Sequence, residues 1–258
     1  MKLWKRLTAL CLSALVCVTP LTACGRKEST DGRASLSVCV GETPATYDPI
    51  YAQRIGDQTI LNHLYENLMR LETGENSQTI AVPGAAKSVD MKENSDGTVT
   101  YTFKLRQGVK FHDGTDFNAD AVIANYERCL ADTTLRQNSR VAKWESCTKV
   151  DDYTVAIKLK EPNSSFINQF TQFQIVSPKA LEEGLDLNKN AAGTGQYTFK
   201  EHTEGDHVTV VPYADYWGTK ATVDSLTFRA VPEDGSRVAM LQTGEADYIY
   251  PMPTVQAA

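Results

Sequence analysis

The chain has 258 residues, of which 41% are hydrophobic, 22% charged and 9% aromatic. That length allows one large or two modest domains with a sizeable core, and the composition excludes a disordered chain, a collagen and a coiled coil. Twenty-six Lys and Arg against 32 Asp and Glu leave a net charge of −6, which speaks against wrapping DNA or RNA, because such binding rests on clustered cations.

Lys2, Lys5 and Arg6 precede a mainly apolar run from Leu7 to Val18. The run is too short for a membrane span of about 20 residues and suits the core of a secretory signal. Leu21-Thr22-Ala23-Cys24 follows, and it resembles the lipobox of bacterial lipoproteins. The resemblance implies a signal peptide over residues 1–23, cleavage before Cys24 and a diacylglyceryl group on its thiol. A plain secretory signal with a chance cysteine is the alternative. Residues 24–35 are small, polar and charged, and are expected to form a flexible tether between the anchor and the folded part.

Leu36 to Val40 reads as a short buried strand. Thr43-Pro44 and Asp48-Pro49 punctuate the loop after it. The spacing of Ile60, Leu61, Leu64, Tyr65 and Leu68 predicts a helix over Gln58 to Arg70, followed by a polar loop that ends at Pro83. Val99, Tyr101, Phe103 and Leu105 alternate with polar residues, the period of a half-buried strand. Asp96-Gly97 marks the turn that pairs this strand with Ser88 to Lys92. Asn118 is the expected N-cap of a helix carrying Val122, Ile123, Tyr126 and Leu130 on one face.

Asp152 to Lys160 alternates again and breaks at Pro162. Gln196 to Glu201 and His207 to Tyr213 read as a hairpin. Ser225 to Val231, Ser236 to Thr243 and Ala246 to Tyr250 read as strand, helix and strand, with Gly244 stopping the helix. Such a β-α-β unit is expected to cross over into a parallel pair. The mixture predicts an α/β or α+β architecture with mixed sheets.

Signs of catalysis are sparse. The four histidines, His63, His112, His202 and His207, sit in no metal-ligand spacing and read as surface or turn residues. Gly193-Thr194-Gly195 precedes a strand and lacks the Lys-Ser/Thr of a phosphate loop, so a tight backbone passage is the better reading. No G-x-S-x-G elbow is present. No metal site, cofactor or enzyme activity is expected. Of the six cysteines, Cys11 and Cys17 leave with the signal, and Cys39 reads as a small buried hydrophobe. Export permits a disulfide between Cys129 and Cys147, worth about 3 kcal/mol in the chain-entropy model, and the sequence leaves bridge or thiols open.

A set of phrases in fixed order carries a family resemblance. They are Tyr47-Asp48-Pro49, Tyr65-Glu66-Asn67-Leu68, YTFKLRQGVKFHDGTDFNADAVIANYERCL from Tyr101 to Leu130, GTGQYTF from Gly193, Asp215-Tyr216-Trp217-Gly218 and LQTGEADY from Leu241. Together they resemble the family 5 solute-binding proteins, the extracellular receptors for peptides and related solutes in ABC importers. Asp116, where the family has proline, and Asn118-Ala119-Asp120-Ala121, which lacks one acid of the family's capping box, depart from the pattern at the helix entry.

The resemblance implies a periplasmic-binding-protein-like α/β fold of class II type. Residues 36–65 and 178–258 would form lobe I and 66–177 its extra α+β subdomain. It implies a lipid-anchored receptor that captures a peptide or similar small solute for a membrane permease, without cofactor and without nucleic acid. The loop after Asp48-Pro49 nominates Ala52, Gln53, Arg54 and Ile55 as ligand contacts, and the final strand nominates Tyr250 and, less directly, Tyr248. A tyrosine offers an apolar face and a phenol, and Arg54 could clasp a ligand carboxylate with two hydrogen bonds. The competing readings are tyrosines packed in the sheet and a solvated loop arginine. Complete family members are roughly double this length, so the second lobe is expected to be missing. A repurposed non-transport binding protein that keeps half the fold is the rival reading.

Overall fold

A computed structural model of the chain describes residues 34–133, 141–161 and 166–253. The expected signal peptide, the lipid site Cys24, nearly all of the tether, the break at Pro162 and residues 254–258 lie outside them.

Alternation along β5 (Val99–Leu105) sends Val99, Tyr101, Phe103 and Leu105 into a core. β5 pairs antiparallel with β4 (Ala86–Glu93), across a turn in which Gly97 takes φ 79°, a value that favours glycine. On its other side lies β7 (Thr154–Leu159), and β6 (Trp144–Asp151) completes a four-stranded sheet in the order β4-β5-β7-β6. Helix α2 (Ala119–Ala131) packs on it, entered as expected at Asn118, whose side chain accepts the Ala121 N–H at 3.1 Å. Its buried residues include Val122, Tyr126 and Cys129, whereas Leu130 lies outside that stripe and is exposed.

An aromatic cluster fills this core. Tyr126 stacks on Trp144 with ring centres 5.1 Å apart. Phe166 and Phe170, from a 3₁₀ turn over Phe166–Thr171, close against Trp144, and Phe170 reaches Phe103 at 4.4 Å. Each ring buried this fully stabilises the fold by about 2 kcal/mol.

The second sheet has five strands in the order β11-β1-β10-β9-β8. β1 (Ser35–Val40) runs parallel to β10 (Ser225–Ala230) on one side and to β11 (Tyr248–Tyr250) on the other. β9 (His207–Pro212) and β8 (Tyr197–Thr203) continue it as the expected antiparallel hairpin. β10, α4 (Asp234–Thr243) and β11 form the expected strand-helix-strand unit, with Gly244 at φ 76° ending the helix. The two strands are nevertheless not neighbours, because β1 lies between them. The physical reason is that Val38, Cys39 and Val40 are buried, and a strand buried on both faces needs partners along both edges.

Helix α1 (Ile55–Leu64) covers one face of this sheet through Ile60, Leu61 and Leu64, which pack with Val38, Val40, Val208 and Phe228. Helix α4 covers the other face, over Cys39, Ala246 and Ile249. The expected helix over 58–70 is thus displaced. It starts three residues earlier and stops at Leu64, where Tyr65 turns extended at φ −126°, ψ 147°. Tyr65 and Leu68 mimic helical spacing because both are buried after the helix has ended; the Tyr65 phenol donates to Tyr47 O at 2.9 Å. The polar loop expected before Pro83 is also corrected. It is a hairpin of β2 (Met69–Thr73) and β3 (Thr79–Pro83), mostly exposed and so without a burial pattern to read.

The two cores meet closely. Backbone passes so near at Gly193 and Gly195 that a Cβ there would lie 2.1 Å from Leu64 O and 2.4 Å from His63 O. Tyr216 O–H donates to Glu66 at 2.6 Å, and Trp217 packs against the aromatic core with Arg106 4.6 Å above its ring. A short helix, α3 (Pro178–Glu182), is capped by Ser177.

Cys129 and Cys147 are both buried and stand as thiols, not as the bridge that export permits. Burial, aided by the Glu127 charge, pushes the Cys147 thiol up to about 12, which suppresses the thiolate that disulfide exchange requires. The histidines also differ from their reading as surface residues. His112 is half-buried against Tyr213, with Nε2 3.1 Å from Gly195 O. His202 sits edge-on to Tyr47, and His63 packs on Tyr197 and Phe228.

Candidate ligand groove

The groove begins with the way α1 is started. Asp57 is buried, and one carboxylate oxygen accepts the N–H groups of Gln53 and Arg54 at 3.2 and 3.0 Å. The other accepts the Ala45 N–H at 3.1 Å. A carboxylate in the first turn also complements the helix dipole. These bonds draw the loop after β1 onto the helix start and fix the backbone of residues 53 and 54 at the surface.

The register of β11 supplies the facing wall. Tyr248 and Tyr250 lie opposite Val38 and Val40, and Ile249 opposite Cys39. Both tyrosines therefore share the sheet face that α1 covers, but at the sheet edge, beyond the helix. Tyr248 is 58% exposed and Tyr250 38%, while Ile249 is 2% exposed. The alternative of tyrosines packed inside the sheet is not what the fold builds.

Between these walls runs an open groove of 400 Å³. Gln53, Arg54, Ile55, Gln58, Thr59, Asn62 and His63 form one side and the two tyrosines the other. A smaller hollow of 240 Å³ shares Ile55, Thr59 and Tyr250 with it and reaches Val40 and Gly41 at the carboxyl end of β1. Ligands of open α/β sheets bind at that end of the parallel strands.

Five of the six nominated contacts come together here: Gln53, Arg54, Ile55, Tyr248 and Tyr250. Ala52 does not; it is 4% exposed and packs in the core beneath α1. Arg54 is not a loose loop charge. Its guanidinium pairs with Glu42, reaches Asp57 at 3.3 Å and donates to Thr43 O at 3.4 Å, so its charge is largely answered within the protein.

Sequence reasoning missed Gln58, Thr59, Asn62 and His63, which line the groove along one side of α1. The available signal was that the polar positions of the helix recur at its own period, opposite Ile60, Leu61 and Leu64. Burial lowers the His63 pKa, so its imidazole is neutral near pH 7. Among the described residues, no group of three His, Cys, Asp or Glu side chains is placed to hold a metal ion. None of the described helices is long and apolar enough to cross a membrane.

A mixed sheet covered on both faces, with a subdomain sheet beside it and an open groove at its strand ends, defines one lobe of a periplasmic-binding-protein-type receptor. The family model for bacterial extracellular solute-binding proteins, family 5 Middle, matches residues 81–258, and the chain belongs to that family. The glutathione-binding protein GsiB of Salmonella typhi is 38% identical over 226 residues, covering 86% of this chain and 43% of that protein. The oligopeptide-binding protein AppA of Bacillus subtilis, solved with a nonapeptide, aligns at a TM-score of 0.71 and 27% identity over 83% of this chain and 43% of its own. AgaA of A. tumefacien R10, solved with agropinic acid, aligns at 0.75 and 25% identity over 87% and 45%. The chain thus spans less than half the length of these relatives.

Proposed function

We propose that this chain supplies one wall of the solute-binding cleft of an ABC-importer receptor, which takes up a peptide or a peptide-like solute such as glutathione and hands it to a membrane permease. The observation that carries this reading is the pair Tyr248 and Tyr250. They stand exposed at the sheet edge and face a polar helix side across a groove at the carboxyl ends of parallel strands. Exposed aromatic rings with phenols suit a ligand that offers both apolar and hydrogen-bonding groups. The site binds without covalent chemistry, and glutathione and a nonapeptide, the ligands of two relatives, belong to the proposed class.

We take residues 36–65 and 178–258 as the lobe and 66–177 as its subdomain, a division supported by two main cores, although Val176 packs into the lobe core from the subdomain range. Ile50 and Trp217 are exceptions that pack into the subdomain core from the lobe. Cys24 is the proposed lipid-attachment site, placing the receptor on the outer side of the membrane. Incorporation of labelled palmitate that disappears in Cys24→Ser would support this, and incorporation that persists would refute it.

The groove reading is tested by nuclear magnetic resonance on the purified isotope-labelled chain titrated with glutathione and with trialanine. Saturable shifts centred on residues 53–63 and 248–250, abolished by Tyr248→Ala with Tyr250→Ala, are expected. Absence of saturable shifts at millimolar ligand, or shifts unaffected by that double substitution, would overturn it.

A further inference from the structure

We infer that Asn62 reads an oxygen acceptor on the ligand through its side-chain amide, and that Gln174, in the adjoining core, is the residue that positions it. This rests on the groove being the ligand site.

Three other polar side chains on this wall, Gln58, Thr59 and Arg54, are bonded within the protein itself. Gln58 Nε2 donates to Ala52 O at 3.2 Å, and Thr59 Oγ1 donates to Ile55 O at 2.9 Å. Arg54 is held by Glu42, Asp57 and Thr43 O. Asn62 is arranged differently. It lines the groove and is exposed, and its Oδ1 accepts a hydrogen bond from Gln174 Nε2 at 3.1 Å.

Gln174 is itself 5% exposed and lies in a backbone bridge with Asn67, so its amide is a fixed donor. An asparagine amide has an acceptor end and a donor end. Engaging the acceptor end from the protein side leaves the NH2 group to the groove. That makes Asn62 a pre-oriented donor toward the groove, beside Gln58, Thr59 and Arg54, whose donors are bonded within the protein. The matching ligand group is a carbonyl or carboxylate oxygen, and Tyr248 and Tyr250 across the groove can hold the rest of the same ligand.

The sequence gap explains why this arrangement is not visible in one motif: Asn62 and Gln174 are 112 positions apart. The pair also couples the groove to the subdomain, because Gln174 follows directly on the aromatic cluster ending at Phe173.

The test uses the full chain and two probes, trialanine and trialanine amide. Asn62→Leu removes the donor, and Asn62→Asp replaces it with an acceptor at an exposed position that should not disturb folding. Gln174→Met removes the inward donor at nearly unchanged side-chain length and without burying a charge, so the Asn62 amide is no longer held. The expected result is that the Asn62 Nδ2 resonances move on saturation and that Asn62→Leu weakens binding about tenfold, the usual worth of one such hydrogen bond. Asn62→Asp should weaken trialanine more than its amide if the ligand oxygen is the terminal carboxylate, and both equally if it is a main-chain carbonyl. Gln174→Met should weaken binding and broaden the Asn62 Nδ2 resonances of the unliganded chain, and resonances that stay sharp with unchanged affinity would remove Gln174 from the positioning role.

Unchanged affinity in Asn62→Leu, or Nδ2 resonances that stay still at saturation, overturns the inference while leaving the groove intact. Failure of both probes to bind the unaltered chain overturns the groove reading and this inference with it.

Discussion

Arg128 closes a two-pronged ion pair on Asp48, its Nη1 donating to Oδ1 at 2.8 Å and its Nη2 to Oδ2. Asp48 stands in the loop after β1 and Arg128 in α2, so the pair ties the larger sheet to the subdomain helix. The Asp48 side chain is 7% exposed. Arg128→Ala strands a buried carboxylate and should destabilise the chain by about 3 kcal/mol in urea unfolding. Arg70→Ala, which removes an exposed pair with Glu72 at 2.7 Å, should cost less than about 1 kcal/mol. Equal effects of the two substitutions would show that the Asp48 pair is not a structural tie.

Gly193 and Gly195 should not tolerate a side chain. A Cβ at 2.1 Å from Leu64 O meets backbone, not a side chain that can swing aside. Gly193→Ala is expected to cost about 4 kcal/mol or more, or to prevent folding. Gly114→Ala places its methyl in open space at φ 81° and should cost only about 1 kcal/mol. Melting temperatures of the two variants, with soluble yield, decide the comparison.

Acid should weaken the fold through two histidines. Burial lowers the pKa of His63, and burial, partly offset by the Gly195 carbonyl and Asp113, lowers that of His112. The folded state therefore binds protons less readily than the unfolded chain, so this stability is complete above the ordinary histidine value of about 6.5 and is lost as pH falls through it. The melting temperature should fall between pH 7.5 and 5, and the slope should flatten in His63→Gln with His112→Gln. An unchanged slope in the double variant would place the acid sensitivity elsewhere.

Cys147 should be inert in the native state. With its thiol pushed up to about 12 by burial, alkylation at pH 8 should be slow until the chain is unfolded. Mass spectrometry under non-reducing conditions should find no 129–147 bridge, and reductant should leave the melting temperature unchanged. A bridged peptide would contradict the thiol pair.

Much of the architecture was legible because burial left a period behind. β5, β7, the β8–β9 hairpin and the Asn118 cap all follow from alternation or a single capping side chain. Where burial was absent or shared, the signal failed. The β2–β3 hairpin faces solvent and shows no alternation, while Tyr65 and Leu68 are buried beyond the end of α1 and lengthened its apparent period. The site was half legible. Gln53 to Ile55 and the two tyrosines came from a family likeness, but Ala52 points into the core. Asn62 and His63 had a signal in the polar period of α1, but which polar side of that helix faces a groove is set by where β11 lies in the sheet. The place of β1 between β10 and β11 depends on partners distant in sequence, which no local window contains.

That place in the sheet orders events in time. Ser37 N–H bonds the Asp247 carboxylate at 2.8 Å across a separation of 210 residues, and the Asp247 N–H returns a bond to Ser37 O at 2.8 Å. The subdomain sheet, by contrast, draws all its strands from Ala86 to Leu159. Loop closure makes distant pairings slow to form and nearby ones fast. The subdomain can therefore condense while β1 still waits as an unpaired apolar strand, and the groove takes shape only when β11 pairs with it. During that interval β1 is the segment most exposed to pairing with another chain, and it is where a holding chaperone would have most to protect.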